Sequence, residues 1–292
     1  MIKDKSFGSK TFDVVNTILM IIILIITLYP LLYVLAISLS STEYVQANLV
    51  TIIPKGFNLQ AYHQVFADKY FWVAYKNTIL YTVVGTVINL LLTSSFAFCL
   101  SRKDLIAKNT ITILVIFTMF FSGGLIPNFL LVKNLGIYNS IWAIVLPGAI
   151  NTYNMIITRT YMQGLPEEIF ESVRIDGGND LQIYSKIVLP LSKPVLATIG
   201  LFYAVGHWNA YFYPMIYMKD KVKYPLQVIL KDMIVEQDFS GMEEMEALGQ
   251  IPPTSDMLVG ASIIVALIPI LCVYPFVQKY FVKGVMIGSL KG

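Results

Sequence analysis

Two groups of residues in this chain have types and spacings that could do chemistry, and neither is a bond-making set. The first is the run Glu171-Ser172-Val173-Arg174-Ile175-Asp176-Gly177-Gly178, followed by Ile187-Val188-Leu189-Pro190. Its acids, paired glycines and proline suit gripping a partner. The second is Tyr203, His207, Trp208 and Asn209 in one apolar stretch, with Asn151 and Asn154 in another. Aromatic faces stack on the C–H surfaces of sugars, while imidazole, amide and phenol groups bond to hydroxyls. His63 and His207 are the only histidines and lie far apart. The chain has no H-E-x-x-H, G-x-S-x-G or G-x4-G-K-[ST] string, so it carries no recognisable zinc, nucleophile-elbow or Walker phosphate site. The reading is a non-enzyme with no metal.

The first group needs a bent scaffold, and the polar segment from Gly164 to Pro194 supplies one. Pro166 stands where a first helical turn begins, since its missing N–H is not needed there. Glu167, Glu168 and Glu171 place negative charge near that helix's positive end. Asp176-Gly177-Gly178 provides the stop, because glycine reaches left-handed backbone angles. Asn179-Asp180 can cap a second short helix, which Pro190 and Pro194 end before the next long one. The result is a helix–turn–helix elbow, apolar on one side through Ile169, Phe170, Val173, Ile183 and Ile187.

Around the elbow the composition is that of a membrane protein. Only 13% of the 292 residues are charged and 56% are hydrophobic, against about 25% charged in soluble domains, and the mean hydropathy is +0.68. A net charge of +3 gives no reason to expect nucleic acid. Cys99 and Cys272 fall in apolar runs and read as small packing residues. A spanning helix needs about 20 apolar residues, and six segments qualify: 14–38, 77–100, 110–132, 139–162, 192–216 and 258–280. The first is too long for a signal-peptide core of about 7–15 residues. The division is therefore a tail over 1–13, a six-helix domain over 14–280 and a tail over 281–292, an all-α membrane protein. With the N-terminus inside, 13 of the 21 Lys and Arg fall on the inner side, among them Lys3, Lys5, Lys10, Arg102, Lys103, Arg159, Arg174 and Lys279, and 8 on the outer. That places both termini and the elbow loop, 164–190, in the cytoplasm.

The segments outside are 39–76 and 217–257. In 39–76 the aromatics Tyr62, Phe66, Tyr70, Phe71 and Trp72 fit a helix at the membrane interface, with His63 a solvated neighbour. The polar, acidic 217–257 either folds over the mouth or binds something outside. Ser122-Gly123-Gly124 and Pro127 serve either close helix packing or a breakable gate. Asn151, Asn154 and Thr158 are spaced for one helical face, lining an aqueous path or bonding neighbouring helices. Tyr203, His207 and Tyr211 also share a face, while Gly206, Asn209 and Tyr213 take another. These side chains line a path or form an outer aromatic belt.

The elbow resembles the EAA loop of bacterial ABC-importer permeases, which reads E-A-A, D-G-A/G and then I-x-L-P. Ser172-Val173 stands where that family has two alanines. Six spans, the elbow between the fourth and fifth and the closing FVKG…KG tail resemble the MalG-like subunit of the sugar class. FTMFFSGGLIPN and LPLSKPVLATIGLFYAVGHWN are similar to permeases for plant or algal polysaccharide fragments, the polygalacturonan type. The resemblance implies a type I importer fold in which Glu171, Ser172, Val173, Asp176, Gly177, Gly178, Ile187, Leu189 and Pro190 form a cytoplasmic coupling loop. It implies a second homologous permease, two copies of an ABC ATPase that carries ATP and Mg, and an extracellular lipid-anchored binding protein. The location is the bacterial cytoplasmic membrane and the cargo an oligosaccharide. Another small polar solute, or an ion-coupled secondary transporter, are the alternatives.

Overall fold

The computed structural model of the chain describes residues 7–236 and 251–289. Residues 1–6 of the expected N-terminal tail, 237–250 of the expected 217–257 segment and 290–292 of the C-terminal tail lie outside the described residues. The regular elements among the described residues are all helices, and none is a strand. The chain divides into two compact units, Met1–Lys69 with Asp232–Ile268, and Tyr70–Lys231 with Pro269–Gly292.

In the first unit, α1 (Phe7–Ser38) is long and apolar enough to span a bilayer, and its most apolar window is wholly unburied by this chain. Ile18, Ile22 and Leu31 stand open along it, the expected state of a helix that faces lipid or another subunit. α2 (Thr42–Gln46) and α3 (Gln60–Ala67) follow. Ser38 and Tyr62 hydroxyls bond at 2.8 Å, and the Gln60 amide donates to the Ile251 carbonyl at 3.2 Å. Tyr62 is thus tied into its unit, while His63 is exposed.

The second unit holds the candidate site. α4 (Lys69–Ser101) is a single long helix that begins before the expected 77. Phe71, read from sequence as interfacial, is fully buried. α5 (Lys108–Phe120) and α6 (Leu125–Asn134) meet at 115°. The expected 110–132 span is therefore bent, and the cause is local. Gly124 sits at φ +89 and no N–H is available from Pro127. The expected 139–162 span is likewise two pieces, α7 (Ile141–Val145) and α8 (Thr152–Gln163). Pro147-Gly148 lies in the gap between them, and proline has no N–H with which to continue the helix.

Next come α9 (Glu167–Ile175), the short α10 (Asp180–Gln182), a π-helix over Ile183–Val188, and α11 (Leu189–Leu191). α12 (Lys193–Trp208) leaves at 80° to the stretch before it and stops at Trp208, short of the expected 216. α13 (Phe212–Tyr217) packs Tyr217 with Val132 and Ala143. α14 (Leu226–Glu236) and α15 (Ser255–Ser289) complete the order. Among the described residues, three helices are long and apolar enough to cross a membrane, or up to five when each bent pair counts as one span. Cys99 and Cys272 are exposed on the chain, so neither packs inside it. A thiol on an apolar outer face is a small hydrophobe offered to lipid or to a neighbour.

Candidate functional site

The elbow is built by local signals. Pro166 is extended (φ −60, ψ 135) as the residue before α9, and Glu167 and Glu168 occupy the first turn. At the other end Gly177 has φ +77. The Gly178 N–H reaches the Val173 carbonyl at 2.8 Å and the Gly177 N–H reaches the Arg174 carbonyl at 3.0 Å. These two bonds with a left-handed residue between them form a Schellman stop. Both glycines are required, for different reasons. Gly177 needs its dihedral, whereas a Cβ on Gly178 would lie 2.9 Å from the Val173 carbonyl oxygen. Asn179 then opens α10 with a reciprocal capping box: its side chain accepts from Gln182 N–H at 2.9 Å, and the Gln182 side chain accepts from Asn179 N–H at 3.0 Å. Pro190 does not end this helix as expected; the chain passes through it in the π and α11 turns and breaks at Ser192.

One side of the elbow faces its own unit. Phe170 and Val173 pack against a buried cluster of Ala97, Phe98, Leu100, Met155, Met162, Ile183 and Val188. Ile169 and Ile187 are only half-buried. On the other side Glu168, Glu171 and Ser172 are exposed, Ile175 is 86% exposed and Leu181 71% exposed. Ser172 and Val173, the departure from two alanines, each have a local role. The Ser172 hydroxyl bonds back to the Ile169 carbonyl at 3.0 Å and so leaves no unpaired donor. Val173 lies under Gly178.

Sequence reasoning missed the partner of the elbow's inner face, the turn Arg102-Lys103-Asp104 after α4. Lys103 pairs with Glu167. Arg174 bridges Asp104 at 3.1 Å and Asp180 at 3.3 Å. The Arg102 guanidinium lies 5.2 Å from the Phe170 ring centroid and 6.0 Å from that of Phe98. The bond from Arg174 holds the Asp104 carboxyl below the usual carboxylate range, and the Lys103 ammonium does the same for Glu167. No sequence signal announces this meeting, because the partners are separated by more than sixty residues.

The second group of residues gathers where α4 meets α12. The Tyr203 hydroxyl accepts from the Asn151 N–H at 2.9 Å and bonds the Thr93 hydroxyl at 2.7 Å. Since it accepts from Asn151, its own proton is free for Thr93. Asn151 does not share a helical face with Asn154 and Thr158. It precedes α8 as the N-cap, its side chain accepting from Asn154 N–H at 3.1 Å. Asn154 and Thr158 are buried, and the Thr158 hydroxyl bonds back to the Asn154 carbonyl at 2.8 Å. The His207 ring lies against Gly85, where an added Cβ would come within 2.6 Å of its Cε1. Trp208 stands edge-on to Tyr75 at 6.1 Å. Asn209 is exposed just past the helix end, and Tyr211 and Tyr213 follow after the break, so the expected single face ends at His207.

Five buried polar atoms in this region have no partner: Thr82 Oγ1, Thr86 Oγ1, Asn89 Oδ1, His207 Nε2 and Trp208 Nε1. Thr78 and Thr112 bond back to their own helices, whereas Thr82 and Thr86 do not. Thr82, Gly85, Thr86, Asn89 and Thr93 recur at helical spacing along α4. That stripe was visible in the sequence, but threonine in a helix is ordinarily satisfied by its own backbone. Buried polar groups left open in this way carry an unmet demand for hydrogen-bond partners, such as water or a ligand's hydroxyls. Among the described residues no group of three or more His, Cys, Asp or Glu is placed to hold a metal ion.

Beyond the seam, residues Lys219 to Tyr224 are tied to other parts of the same unit. Asn77 donates to the Val222 carbonyl at 2.8 Å, Tyr81 donates to the Lys223 carbonyl at 2.9 Å, and Asn139 donates to Asp220 at 2.8 Å.

Comparison with known proteins places this geometry. Residues 65–287 match the family of binding-protein-dependent transport system inner membrane components. The chain is 42% identical over 286 residues to the polygalacturonan/rhamnogalacturonan transport system permease protein YtcP of Bacillus subtilis (strain 168), covering 97% of this chain and 99% of that protein. It is 41% identical over 285 residues to the protein LplC of the same organism, covering 98% and 96%. Among solved structures, a chain of a bacterial ABC transporter involved in the import of the acidic polysaccharide alginate is similar at a TM-score of 0.89 and 37% identity. The similarity covers 95% of this chain and 99% of that one.

Proposed function

This chain belongs to the family of binding-protein-dependent transport system inner membrane components, and from that premise we propose that it forms half of the membrane pathway of an ATP-driven importer for an acidic oligosaccharide. The observation that carries this reading is the two-sidedness of the elbow. Its inner face is tied into the bundle by Phe170, Val173 and Arg174, while Ile175 and Leu181 stand open beside Glu168 and Glu171. An apolar pair rimmed by charge is the form of a docking surface.

In this reading the elbow is the coupling loop, 164–190, and lies in the cytoplasm, as the distribution of Lys and Arg supports. A separate ABC ATPase, in two copies and carrying ATP and Mg, seats on it. α1, α4, the α5–α6 pair, α7 with α8, α12 and α15 make the six spans, with tails at 1–13 and 281–292. A second, homologous permease completes the path, and a lipid-anchored binding protein delivers cargo from outside to the segments 39–76 and 217–257. The location is the bacterial cytoplasmic membrane. ATP shifts the ATPase towards its closed form, and the elbow must transmit that preference to the helices.

The cargo class rests on the relatives named for polygalacturonan, rhamnogalacturonan and alginate. This half meets cargo through Asn151, Asn154, Tyr203, His207, Trp208 and Asn209, with the open hydroxyls of Thr82 and Thr86 beside them. The test is accumulation of a panel of oligogalacturonides, oligoalginates and neutral maltodextrins by vesicles of the host. Uptake of an acidic oligosaccharide that disappears on deleting this chain is the expected result. Uptake unaffected by the deletion overturns the proposal, and selective loss of maltodextrin uptake overturns the cargo class.

A further inference from the structure

Resting on the reading of the elbow as the ATPase seat, we infer that the turn Arg102-Lys103-Asp104 is a second coupling element, which passes the elbow's movement sideways into α4. Asp104 and Arg174 are its positioning residues.

Two routes lead from α9 into the membrane helices. The route along the chain is soft. It runs through a π-helix over Ile183–Val188, past Pro190, and breaks at Ser192 with an 80° bend before α12. The Ser192 hydroxyl is buried without a partner at that break. π-helical turns and proline are the usual causes of a bend that gives. A push on α9 is absorbed there before it reaches Tyr203 or His207.

The sideways route is braced. Asp104 is the shared counter-ion of Arg174 at 3.1 Å and Arg102 at 3.4 Å. Arg102 is only 11% exposed on its side chain and is held between Phe98 of α4 and Phe170 of α9. Its Nε makes no hydrogen bond, so the Asp104 charge is what offsets it. The end of α4 is fixed further. Lys108 donates to the Ser101 and Arg102 carbonyls at 3.3 and 2.9 Å, and Arg159 donates to the Leu100 carbonyl at 3.1 Å. These bonds satisfy carbonyls that a helix end leaves open. The turn itself runs on to Ala107 at φ +58 before α5. Single half-exposed ion pairs are weak; here one carboxylate ties two helices through two guanidiniums. α4 is also the helix that carries Thr82, Thr86, Asn89 and Thr93 against α12. Moving its end moves one wall of the seam while α12 lags behind its bend.

The test uses the full importer purified through a tag on this chain and placed in proteoliposomes. The cargo is the oligosaccharide that the wild type accumulates from the panel above. Asp104→Asn, Arg174→Gln and the double variant are compared for bound ATPase, ATP hydrolysed and sugar moved, each per assembled complex. The expected result is a full complement of ATPase, hydrolysis within about twofold of wild type and about tenfold less sugar per ATP. The double variant should be no worse than the worse single one, and Asp104→Glu should restore the ratio. An unchanged ratio, losses that multiply in the double variant, or loss of the ATPase from Asp104→Asn overturns the sideways route. Gly177→Val in the same series separates the two claims. If it keeps its ATPase, the seat itself is misplaced; if it sheds its ATPase while Asp104→Asn stays coupled, only the sideways route fails.

Discussion

Within this chain, replacing Gly177 with valine acts through the backbone. Gly177 sits at φ +77, and a Cβ built there meets no atom within 4 Å. The cost is therefore conformational. A left-handed backbone costs an L-residue about 1–2 kcal/mol, and a β-branched one more. The chain can avoid that strain only by opening the two bonds that close α9, Gly178 N–H to Val173 and Gly177 N–H to Arg174, each worth about 0.5–1.5 kcal/mol. Both escapes cost a similar amount, so the ratio of closed to open elbow falls roughly 5–30-fold. Insertion into the membrane should be untouched, because none of the long apolar helices is altered. The assay titrates purified ATPase subunit against detergent-solubilised permease captured on resin. Gly177→Val should need more ATPase for half-saturation, by up to about 30-fold. Gly177→Asn should sit near wild type, since asparagine tolerates the left-handed region. Equal half-saturation for the valine variant and wild type, with correct insertion in both, would refute the reasoning.

Three further outcomes follow from other parts of the structure. Tyr203→Phe removes the hydroxyl shared by Thr93 and the Asn151 N–H, and stranding those groups should cost about 1–3 kcal/mol, read as a lower unfolding temperature of the purified complex. Gly85→Ala drives a methyl into the His207 ring and should lower uptake as His207→Ala does, with the complex still assembled; uptake equal to wild type in both would assign the ring to packing. The Asp104 and Glu167 carboxyls are held below their ordinary range by Arg174 and Lys103. Their contribution is thus fully present above the unfolded carboxylate pKa, about 4, and is lost as pH falls through the folded values. Exchange of the α9 amides, corrected for intrinsic rate, should stay level from pH 5 to 8 and rise only below about 4; a rise near pH 6 would contradict this.

The shape of the elbow was legible because its signals are local. A proline before α9, a Gly-Gly stop and an Asn-x-x-Gln capping box each act within a few residues. The bend at Gly124 was one of the two readings open for Ser122-Gly123-Gly124, whereas smooth hydropathy over 139–162 concealed the interruption around Pro147-Gly148. What was not legible is what depends on tertiary proximity. Asp104 and Arg174 meet only after four helices have turned the chain back, and nothing in Arg102-Lys103-Asp104 distinguishes it from a solvated turn. The Thr82-to-Thr93 stripe was in plain sight, but its open hydroxyls matter only once α12 lies against them. Asn151 shows the reverse error: a helical spacing to Asn154 proved to be that of a cap to its helix.

The central claim is that the open side of α9 is where a separate ATPase sits. Ile175, 86% exposed, reports on it directly once Cys99 and Cys272 have been replaced by alanine and Ile175 by cysteine. Labelling of that cysteine with a hydrophilic maleimide should be fast in the permease pair alone and at least about tenfold slower once the ATPase subunits are bound. Equal labelling rates with and without them would contradict the account.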